Sequence, residues 1–555
     1  MVRMKKHILS AFERLLETKS ITLLEPKQES LGDFAVHMKQ LQTHDTTLTP
    51  EIIIQKLKKS ELFDKVEKKD EFINVWIAKK LLFEQLNELA GNKINFSKIG
   101  VGKKIVIEYS SPNIAKPFTI GHLRSTIIGD AIANLYEKIG YSVFRDNHVG
   151  DWGTQFGKQI YAIKKWGNED EISQAKRPVK LLVDLYVKFH KEAEKHAYLE
   201  NEARVWFQKL ESGDPEARRL WQKCIDWSWV EFDAIYKTLN VSFTENNGRG
   251  YGESYFENKM VPIIEELKNK KLLVESDGAQ LVFFPNDSYP PLMIIKNDGA
   301  TLYATRDLAT DKFRLEKYGK DIVIINEVGA EQSLYFRQLY AVEQLLGWYS
   351  LDQRIHVKHG LYRFKTGKMS TRKGDVIWLE DVLSEAIERA KKLSNSGNDD
   401  VAKQVAIGAI KWNDLKRGSE QDIVFDWDDL LNMQGNSGPY LQYTFARICS
   451  VLEKSDSNPS LPLNDTKLNE EEYAVLRHIS HFTDVVESSA LQFAPHILCN
   501  YLYELAQKFN TFYEKSPILK SEKESKQLRL ALTSATGNVL KNGLGLLGIE
   551  SPNKI

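Results

Sequence analysis

The segment from Glu108 to Arg124, EYSSPNIAKPFTIGHLR, limits the possible folds of this chain more than any other. A β-branched run, Ile105 to Ile107, leads into it, and a helical pattern continues from Leu123 to Ile139. A second extended run, Tyr141 to Asp146, follows after Gly140. Strand, loop, helix and strand in close succession predict a βαβ unit with a right-handed crossover, and therefore a parallel sheet.

The loop of this βαβ unit is the first candidate site. Ligands of open parallel sheets lie beyond the carboxyl ends of the strands, so a nucleotide is expected beside this loop. The loop side chains at that position are Asn113, Lys116, Thr119 and His122. The helix start at Gly121 adds free N–H groups and a positive dipole end, both of which suit phosphate.

The same residues resemble a known family. TIGH, Thr119 to His122, resembles the HIGH motif of class I aminoacyl-tRNA synthetases, and the run from Ser110 to Ala131 resembles the arginyl-tRNA synthetases in particular. Thr119 replaces the first His of the motif. The resemblance implies that Thr119, Gly121 and His122 bind ATP, and that His122 is catalytic with help from Lys116. Taken alone, Gly-His at a helix start would be an ordinary cap.

A second chemical stretch, Arg363 to Gly374, has five basic side chains and two glycines in RFKTGKMSTRKG. A loop of this kind can fold over a triphosphate and neutralise charge as pyrophosphate leaves. KMST resembles the KMSK loop of class I synthetases, which implies that Lys368, Met369 and Ser370 bind ATP and that Lys368 and Arg372 are catalytic. Without the upstream motif, the stretch would be a solvated basic face.

The segment YATRDLA contains the candidate substrate-binding pair. Tyr303 and Asp307 are four residues apart and share one face if the segment is helical. A carboxylate accepts a bidentate, charge-assisted pair from a guanidinium, worth roughly 1.5–3 kcal/mol. The alternative is that Asp307 pairs internally with Arg306 or another basic side chain. The resemblance implies an arginine site made of Glu108, Ser110, Asn113, Tyr303, Asp307 and Gln332.

A buried parallel strand is also predicted for Asp321 to Asn326, DIVIIN, which is apolar at its centre. This strand belongs to the second half of a Rossmann-type sheet. The turn after it contains Gly329 and is expected to face the adenosine of ATP.

The predicted fold class is α/β, with a class I Rossmann-type catalytic domain over residues 100–378 and a helical insertion near 170–245. Residues 1–90 are predicted to form a small α+β domain that binds tRNA, with a generic cap as the alternative. Residues 379–434 connect to an all-α bundle, 435–555, which resembles an anticodon-binding domain, although a plain bundle remains possible. The Trp residues of the insertion are interpreted as core rather than as stacking platforms for bases.

The composition restricts the partners of the chain. Lys and Arg number 76, equal to Asp and Glu, so any RNA contact must come from local segregation of charge. The three cysteines are far apart, which predicts neither a zinc site nor a disulfide framework. No apolar stretch reaches the roughly 18 residues of a membrane span, and the N-terminus lacks the apolar core of a signal peptide. We therefore expect a cytoplasmic protein without membrane contact, and a monomer.

These features identify the sequence as a member of the arginyl-tRNA synthetase family. The resemblance implies that L-arginine and ATP give arginyl-adenylate, and that the arginyl group passes to the 3′-terminal ribose of tRNA(Arg). Magnesium is expected with the triphosphate, bridged mainly by phosphate and water. Two rival classes stay open: a class I enzyme for another cationic amino acid, and a non-catalytic tRNA-binding paralogue.

Overall fold

The structure, a computed structural model, describes residues 4–19, 21–26, 28–43, 45, 47–297, 299, 301–364, 377–393, 398–455, 463 and 466–555. The chain divides into two compact units. The first comprises Met1–Ile99, Ala390–Lys416 and Asp428–Ile555, and the second comprises Gly100–Arg389 and Arg417–Trp427.

The N-terminal part of the first unit is an α+β assembly. Its elements are α1 (Met4–Leu16), β1 (Phe34–His37), α2 (Met38–Gln42), α3 (Pro50–Leu57), β2 (Phe63–Lys69), β3 (Phe72–Ile77) and α4 (Lys79–Ala90). The strands form an antiparallel sheet of order β1–β3–β2. The largely buried β3 lies at its centre, whereas β2 exposes its charged side chains, as expected for an edge strand.

The second unit is built on a parallel sheet. Its first elements are β4 (Lys104–Glu108), α5 (Ile120–Lys138), β5 (Ser142–Asp146), α6 (Gln155–Trp166), α7 (Glu169–Gln174), α8 (Pro178–Lys195), α9 (Tyr198–Glu211) and α10 (Pro215–Leu239). They are followed by α11 (Met260–Asn269), β6 (Leu273–Ser276), β7 (Ala279–Val282), β8 (Leu292–Ile295), α12 (Tyr303–Tyr318), β9 (Val323–Gly329), α13 (Ser333–Leu346), β10 (Arg354–His359), β11 (Tyr362–Phe364) and α14 (Leu379–Leu393).

The parallel sheet has the strand order β10–β9–β4–β5. This order confirms the predicted βαβ unit, β4–α5–β5, and the predicted parallel strand within DIVIIN. The apolar residues of β4 and β9 are buried because both strands are internal to the sheet. The carboxyl ends of the strands therefore share one edge of the sheet, and several predicted site residues lie at this edge.

The rest of the chain is mainly helical. Its elements are α15 (Asp399–Leu415), β12 (Ile423–Phe425), α16 (Trp427–Leu430), α17 (Gly438–Glu453), α18 (Glu470–Ile479), α19 (Phe482–Leu491), α20 (Pro495–Lys515) and α21 (Lys523–Leu546). Strand β12 pairs with β11 in the second unit. The α/β catalytic core, the N-terminal α+β part and the C-terminal helical region together confirm the predicted fold class. No helix in the described ranges combines the length and the apolarity that a bilayer crossing requires.

Candidate active site

A cavity of about 270 Å³ lies at the carboxyl ends of β4 and β9. Glu108, the last residue of β4, and Asn113, from the loop that follows, form one wall. Tyr303 and Asp307, from the first turns of α12, form a second wall, so the segment is helical as the spacing required. Gln332, which ends a short 3-10 helix after β9, completes the set of predicted arginine-binding residues that line the cavity.

Ser110 is the predicted arginine-binding residue that does not line this cavity. Its side chain is buried, and its hydroxyl accepts a hydrogen bond from Thr126 Oγ1 and lies 2.8 Å from the hydroxyl of Tyr236. Ser111 lines the cavity instead. Both serines have positive φ, at 76° and 46°, so the turn after β4 directs adjacent side chains in different directions.

Asp307 is the acceptor best placed for a guanidinium. Its side chain is 26% exposed, and its Oδ1 lies 3.7 Å from His148 Nε2. The hydroxyl of Tyr335 donates to its Oδ2. Burial raises the pKa of Asp307 to about 6, against the opposing effects of His148 and of the Tyr335 hydrogen bond. At neutral pH the carboxyl group is therefore mainly ionised, and its charge is only partly compensated.

The proposed internal partner of Asp307 is engaged elsewhere. The guanidinium of Arg306 donates to Glu257 Oε1 at 2.7 Å and lies 3.3 Å from Glu253 Oε2. The structure thus disagrees with the alternative that Arg306 neutralises Asp307.

A buried network of charges, some of which line the cavity, holds α12 against the sheet. Arg314 of α12 pairs with Glu108 of β4, with Asp146 of β5 at 2.8 Å and with Asp311 at 3.0 Å. Arg354 of β10 in turn pairs with Asp311 at 2.5 Å. Burial alone would raise the pKa of Glu108, but the charge of Arg314 outweighs it and lowers that pKa. Glu108 therefore lines the cavity as a carboxylate that already has one cationic partner.

The predicted nucleotide loop ends in the turn that begins α5. Thr119 is the N-cap of this helix, and its backbone N–H donates to His122 Nδ1 at 3.0 Å. An Nδ1 that accepts leaves the neutral ring with its proton on Nε2. Burial, together with the charges of His359 and Lys116, lowers the pKa of His122 to about 4. His122 is therefore a neutral hydrogen-bond donor at physiological pH.

The remaining predicted nucleotide residues surround this turn. Lys116 is exposed, and a Cβ added at Gly121 would lie 3.4 Å from the hydroxyl of Thr119. Gly329 ends β9, where a Cβ would lie 2.4 Å from the carboxylate of Glu331. A side chain at position 329 would therefore require the side chain of Glu331 to move.

The basic stretch predicted to contact ATP lies outside the described residues, so Lys368, Met369, Ser370 and Arg372 are not located. Its C-terminal flank is described and lies at the start of α5. The carbonyl of Ile377 accepts from the N–H of Ile120 at 3.4 Å, and the N–H of Leu379 donates to the carbonyl of Phe118 at 2.9 Å. The described residues that follow the second predicted motif are thus adjacent to the first motif.

The described part of the chain contains no cluster of three or more His, Cys, Asp or Glu side chains that could hold a metal ion. The carboxylates of the cavity are instead paired with the guanidinium of Arg314 or face His148.

Comparisons with known proteins match this geometry. Residues 85–427 match the family model of tRNA synthetases class I (R), catalytic domain, and residues 441–555 match that of the DALR anticodon binding domain. An arginine–tRNA ligase of Clostridioides difficile is 39% identical over 543 residues, which cover 96% of this chain and 95% of the relative. The chain belongs to the arginyl-tRNA synthetase family.

Solved structures of arginyl-tRNA synthetases share the fold. The enzyme of Plasmodium falciparum superposes with a TM-score of 0.84 at 26% identity, and 100% of each chain is covered. The enzyme of Thermus thermophilus has a TM-score of 0.82 at 21% identity, again with 100% of each chain covered. A second curated arginine–tRNA ligase, from Clostridium kluyveri, is 40% identical over 96% of this chain and 95% of its own.

Several cavity residues of this arginyl-tRNA synthetase family member were not predicted from the sequence to bind arginine, among them His148, Arg314 and Tyr335. His148 begins the run HVGDWG, whose flanking glycines mark a tight turn and provide the one usable signal. Arg314 and Tyr335 have no such signal, because each acquires its role from a partner far away in the sequence.

Proposed function

We propose that the chain is an arginine–tRNA ligase that activates L-arginine with ATP and transfers it to the 3′-terminal ribose of tRNA(Arg), releasing pyrophosphate and AMP. The observation that carries this proposal is the position of Asp307. Its partly exposed carboxylate shares one cavity with Tyr303 and Glu108, at the strand ends of a chain that matches the family over almost its whole length. Such a site suits a cation with planar donors.

In the proposed complex, the guanidinium of arginine pairs with Asp307 and lies beside the ring of Tyr303. Glu108, Asn113 and Gln332 supply polar groups for the α-amino and carboxylate end. A neutral analogue such as citrulline would leave the charge of Asp307 unpaired inside the cavity, and we expect the enzyme to reject it for that reason.

ATP is proposed to bind at the start of α5 and along the turn after β9. His122 would donate from Nε2 to the phosphates, while Thr119 and Gly121 present the helix start and Gly329 allows close approach of the adenosine. Lys116, Lys368 and Arg372 are proposed to neutralise the triphosphate, and Met369 and Ser370 to contact it. Magnesium would arrive with ATP, held mainly by phosphate and water.

The proposed chemistry has two displacement steps. A carboxylate oxygen of arginine attacks the α-phosphorus of ATP, the bond to the bridging oxygen breaks, and pyrophosphate leaves with that electron pair. A ribose hydroxyl of the tRNA, the 2′-hydroxyl by family resemblance, then attacks the arginyl carbonyl and AMP leaves. No side chain forms a covalent bond, so positioning and charge stabilisation provide the rate enhancement.

The tRNA is proposed to contact the chain outside the cavity, with the anticodon on residues 441–555 and the outer corner of the tRNA on residues 1–90. The match to an anticodon-binding model supports the first contact. The zero net charge requires that basic residues be segregated locally on those surfaces. We further propose that the enzyme works as a cytoplasmic monomer without zinc.

ATP–pyrophosphate exchange with each standard amino acid, with and without total tRNA, tests this function. We expect exchange with arginine only, and only when tRNA is present. Exchange with arginine in the absence of tRNA would support the proposed activity and show that arginine activation does not require tRNA. Exchange with a different cationic amino acid would favour the first rival class, and tRNA binding without any exchange would favour a non-catalytic paralogue.

A further inference from the structure

His148 has an unusual position in the cavity. It lies two residues beyond β5, and its Nδ1 is 2.9 Å from the carbonyl oxygen of Tyr251, so Nδ1 carries a proton and donates it. Its Nε2 is buried and has no hydrogen-bond partner among the residues that the structure describes. The same atom is 3.7 Å from Asp307 Oδ1, the proposed acceptor of the substrate guanidinium.

The charges that face His148 come from every element packed around it, and carboxylates predominate. They are Glu108 of β4, Asp151 of the loop after β5, Glu253 of a short 3-10 helix, and Asp307 and Arg314 of α12. Burial lowers the pKa of His148, but the nearby carboxylates, Glu108 first, outweigh it and leave that pKa raised. The substrate-free site therefore favours an imidazolium beside Asp307.

We propose that His148 holds a proton beside Asp307 in the free enzyme and releases it when the guanidinium of arginine binds. The inference rests on the proposed function, since it requires that Asp307 receive the guanidinium. The proton passes from Nε2 to solvent, and no other bond forms or breaks. The Nδ1–H bond to Tyr251 stays in place, so the ring keeps its orientation throughout.

The physical reason is competition between two cations for one carboxylate. The substrate brings a permanent positive charge to Asp307, and an imidazolium about 4 Å away would repel it strongly inside a partly desolvated cavity. Loss of the proton removes this repulsion and turns Nε2 into a hydrogen-bond acceptor, which suits the N–H groups of a guanidinium. Protonated His148 would thus compensate the charge of Asp307 until the guanidinium of arginine binds and takes over that role.

Linkage gives the sign of the pH dependence. Because binding releases a proton, the affinity for arginine rises with pH until His148 is already neutral in the free enzyme. One released proton corresponds to a fall in Kd of up to about tenfold per pH unit. The carboxyl group of Asp307, with a pKa of about 6, is mainly ionised at pH 7.5 and releases little there, so proton release at that pH reports on His148.

Isothermal titration calorimetry of the full chain with L-arginine at pH 7.5 tests the proposal. Titrations in phosphate and in Tris, whose ionisation enthalpies differ, count the protons released. We expect the wild-type protein to release a measurable fraction of one proton per arginine, and His148→Gln to release almost none. His196→Gln, at an exposed position at the end of α8, is the matched control and should behave as wild type.

The outcomes separate the inference from the proposed function. Arginine binding without proton release by the wild-type protein would overturn the role of His148, and so would equal release by wild type and His148→Gln. The number of protons that the wild-type protein releases per arginine tests the proposal even if His148→Gln does not fold. Absence of any arginine binding, in a titration with total tRNA as well as in one without it, would overturn the proposed function itself.

Discussion

At the scale of single residues, we expect the charge of Asp307 to decide the substrate. Asp307→Asn keeps the shape of the side chain but removes the charge that pairs with a guanidinium. We expect KM for arginine to rise about 10- to 150-fold, since a hydrogen bond to a charged group is worth roughly 1.5–3 kcal/mol. Steady-state aminoacylation measures this, with Asp352→Asn, an exposed aspartate, as the matched control. A KM that barely moves would mean that the pocket is misassigned.

The titration of the same carboxylate predicts an acid limit for activity. Arginine binds the ionised form, and the pKa of Asp307 is raised by burial to about 6. We therefore expect kcat/KM for arginine to be lost as pH falls through about 6, with a slope approaching tenfold per pH unit. A pH profile from 5 to 8 checks it, and His148→Gln should retain this acid limb. Unchanged kcat/KM at pH 5 would contradict the prediction.

Thr119 is the departure from the family motif, and we expect it to have little kinetic effect. The backbone N–H of Thr119, which any residue at this position except proline would keep, donates to His122 Nδ1 at 3.0 Å, and the hydroxyl of Thr119 also lies 3.0 Å from that atom. Thr119→His should therefore leave kcat/KM within about tenfold, or roughly 1.4 kcal/mol. Pyrophosphate exchange at varied ATP concentration measures it. A much larger loss would show that the local packing requires threonine.

At the scale of elements, α12 joins the binding site to the sheet. Tyr303, Asp307 and Asp311 follow one another at four-residue intervals, so they lie along one face of the helix. All three residues line the cavity, and Asp311 also pairs with Arg314 in the buried network of charges. Ion pairs to β4, β5 and β10 thus set the position of the residues that are proposed to contact the substrate.

Removal of Arg314 should accordingly destabilise the catalytic unit. Arg314→Met would leave the carboxylates of Glu108, Asp146 and Asp311 buried without this cation, at a cost of about 3–5 kcal/mol. Arg219→Met, which breaks an exposed pair with Glu169, is the matched control and should cost about 1 kcal/mol or less. Urea unfolding monitored by tryptophan fluorescence compares the two. An equal loss of unfolding free energy in the two variants would contradict the importance of the buried network.

At the scale of the whole molecule, the N-terminal residues share a compact unit with the C-terminal helices. Asn538 of α21 donates to the carbonyl of Leu89 at 2.8 Å, and Ser534 donates to that of Ala90 at 3.0 Å. Arg477 of α18 pairs with the buried Asp33. These contacts join segments more than 400 residues apart in the sequence.

Deletion of residues 1–90 should therefore disturb the distant helices. The deletion exposes the face of α21 that packs on α4, so we expect amides in α18 and α21 to lose protection from hydrogen exchange. Amides of β4 and β9 lie in the other unit and provide the internal control. Exchange measured by mass spectrometry checks both sets. Unchanged protection in α21 would indicate that residues 1–90 form a separate domain, as the sequence predicted.

Some elements could be predicted from the sequence and others could not. The βαβ unit and the strand within DIVIIN were predictable because their apolar runs and turn residues are local signals. Strand β2 was not, because FDKVEKK resembles a solvated face when its edge position is unknown. The apolar periodicity from Glu470 to Glu487 favours a single long helix, but the structure divides this run into α18 and α19 near His481.

The sequence by itself determined the family, the order of strand, loop and helix, and the kinds of charge present at the site. These properties depend on spacing and on backbone conformations that neighbouring residues impose. Only the tertiary structure decided that Arg314 neutralises Glu108 from 206 residues away, that Ser111 rather than Ser110 lines the cavity, and that His148 faces Asp307. Ion pairing and burial are properties of contacts between distant segments, and no local periodicity specifies which partners meet.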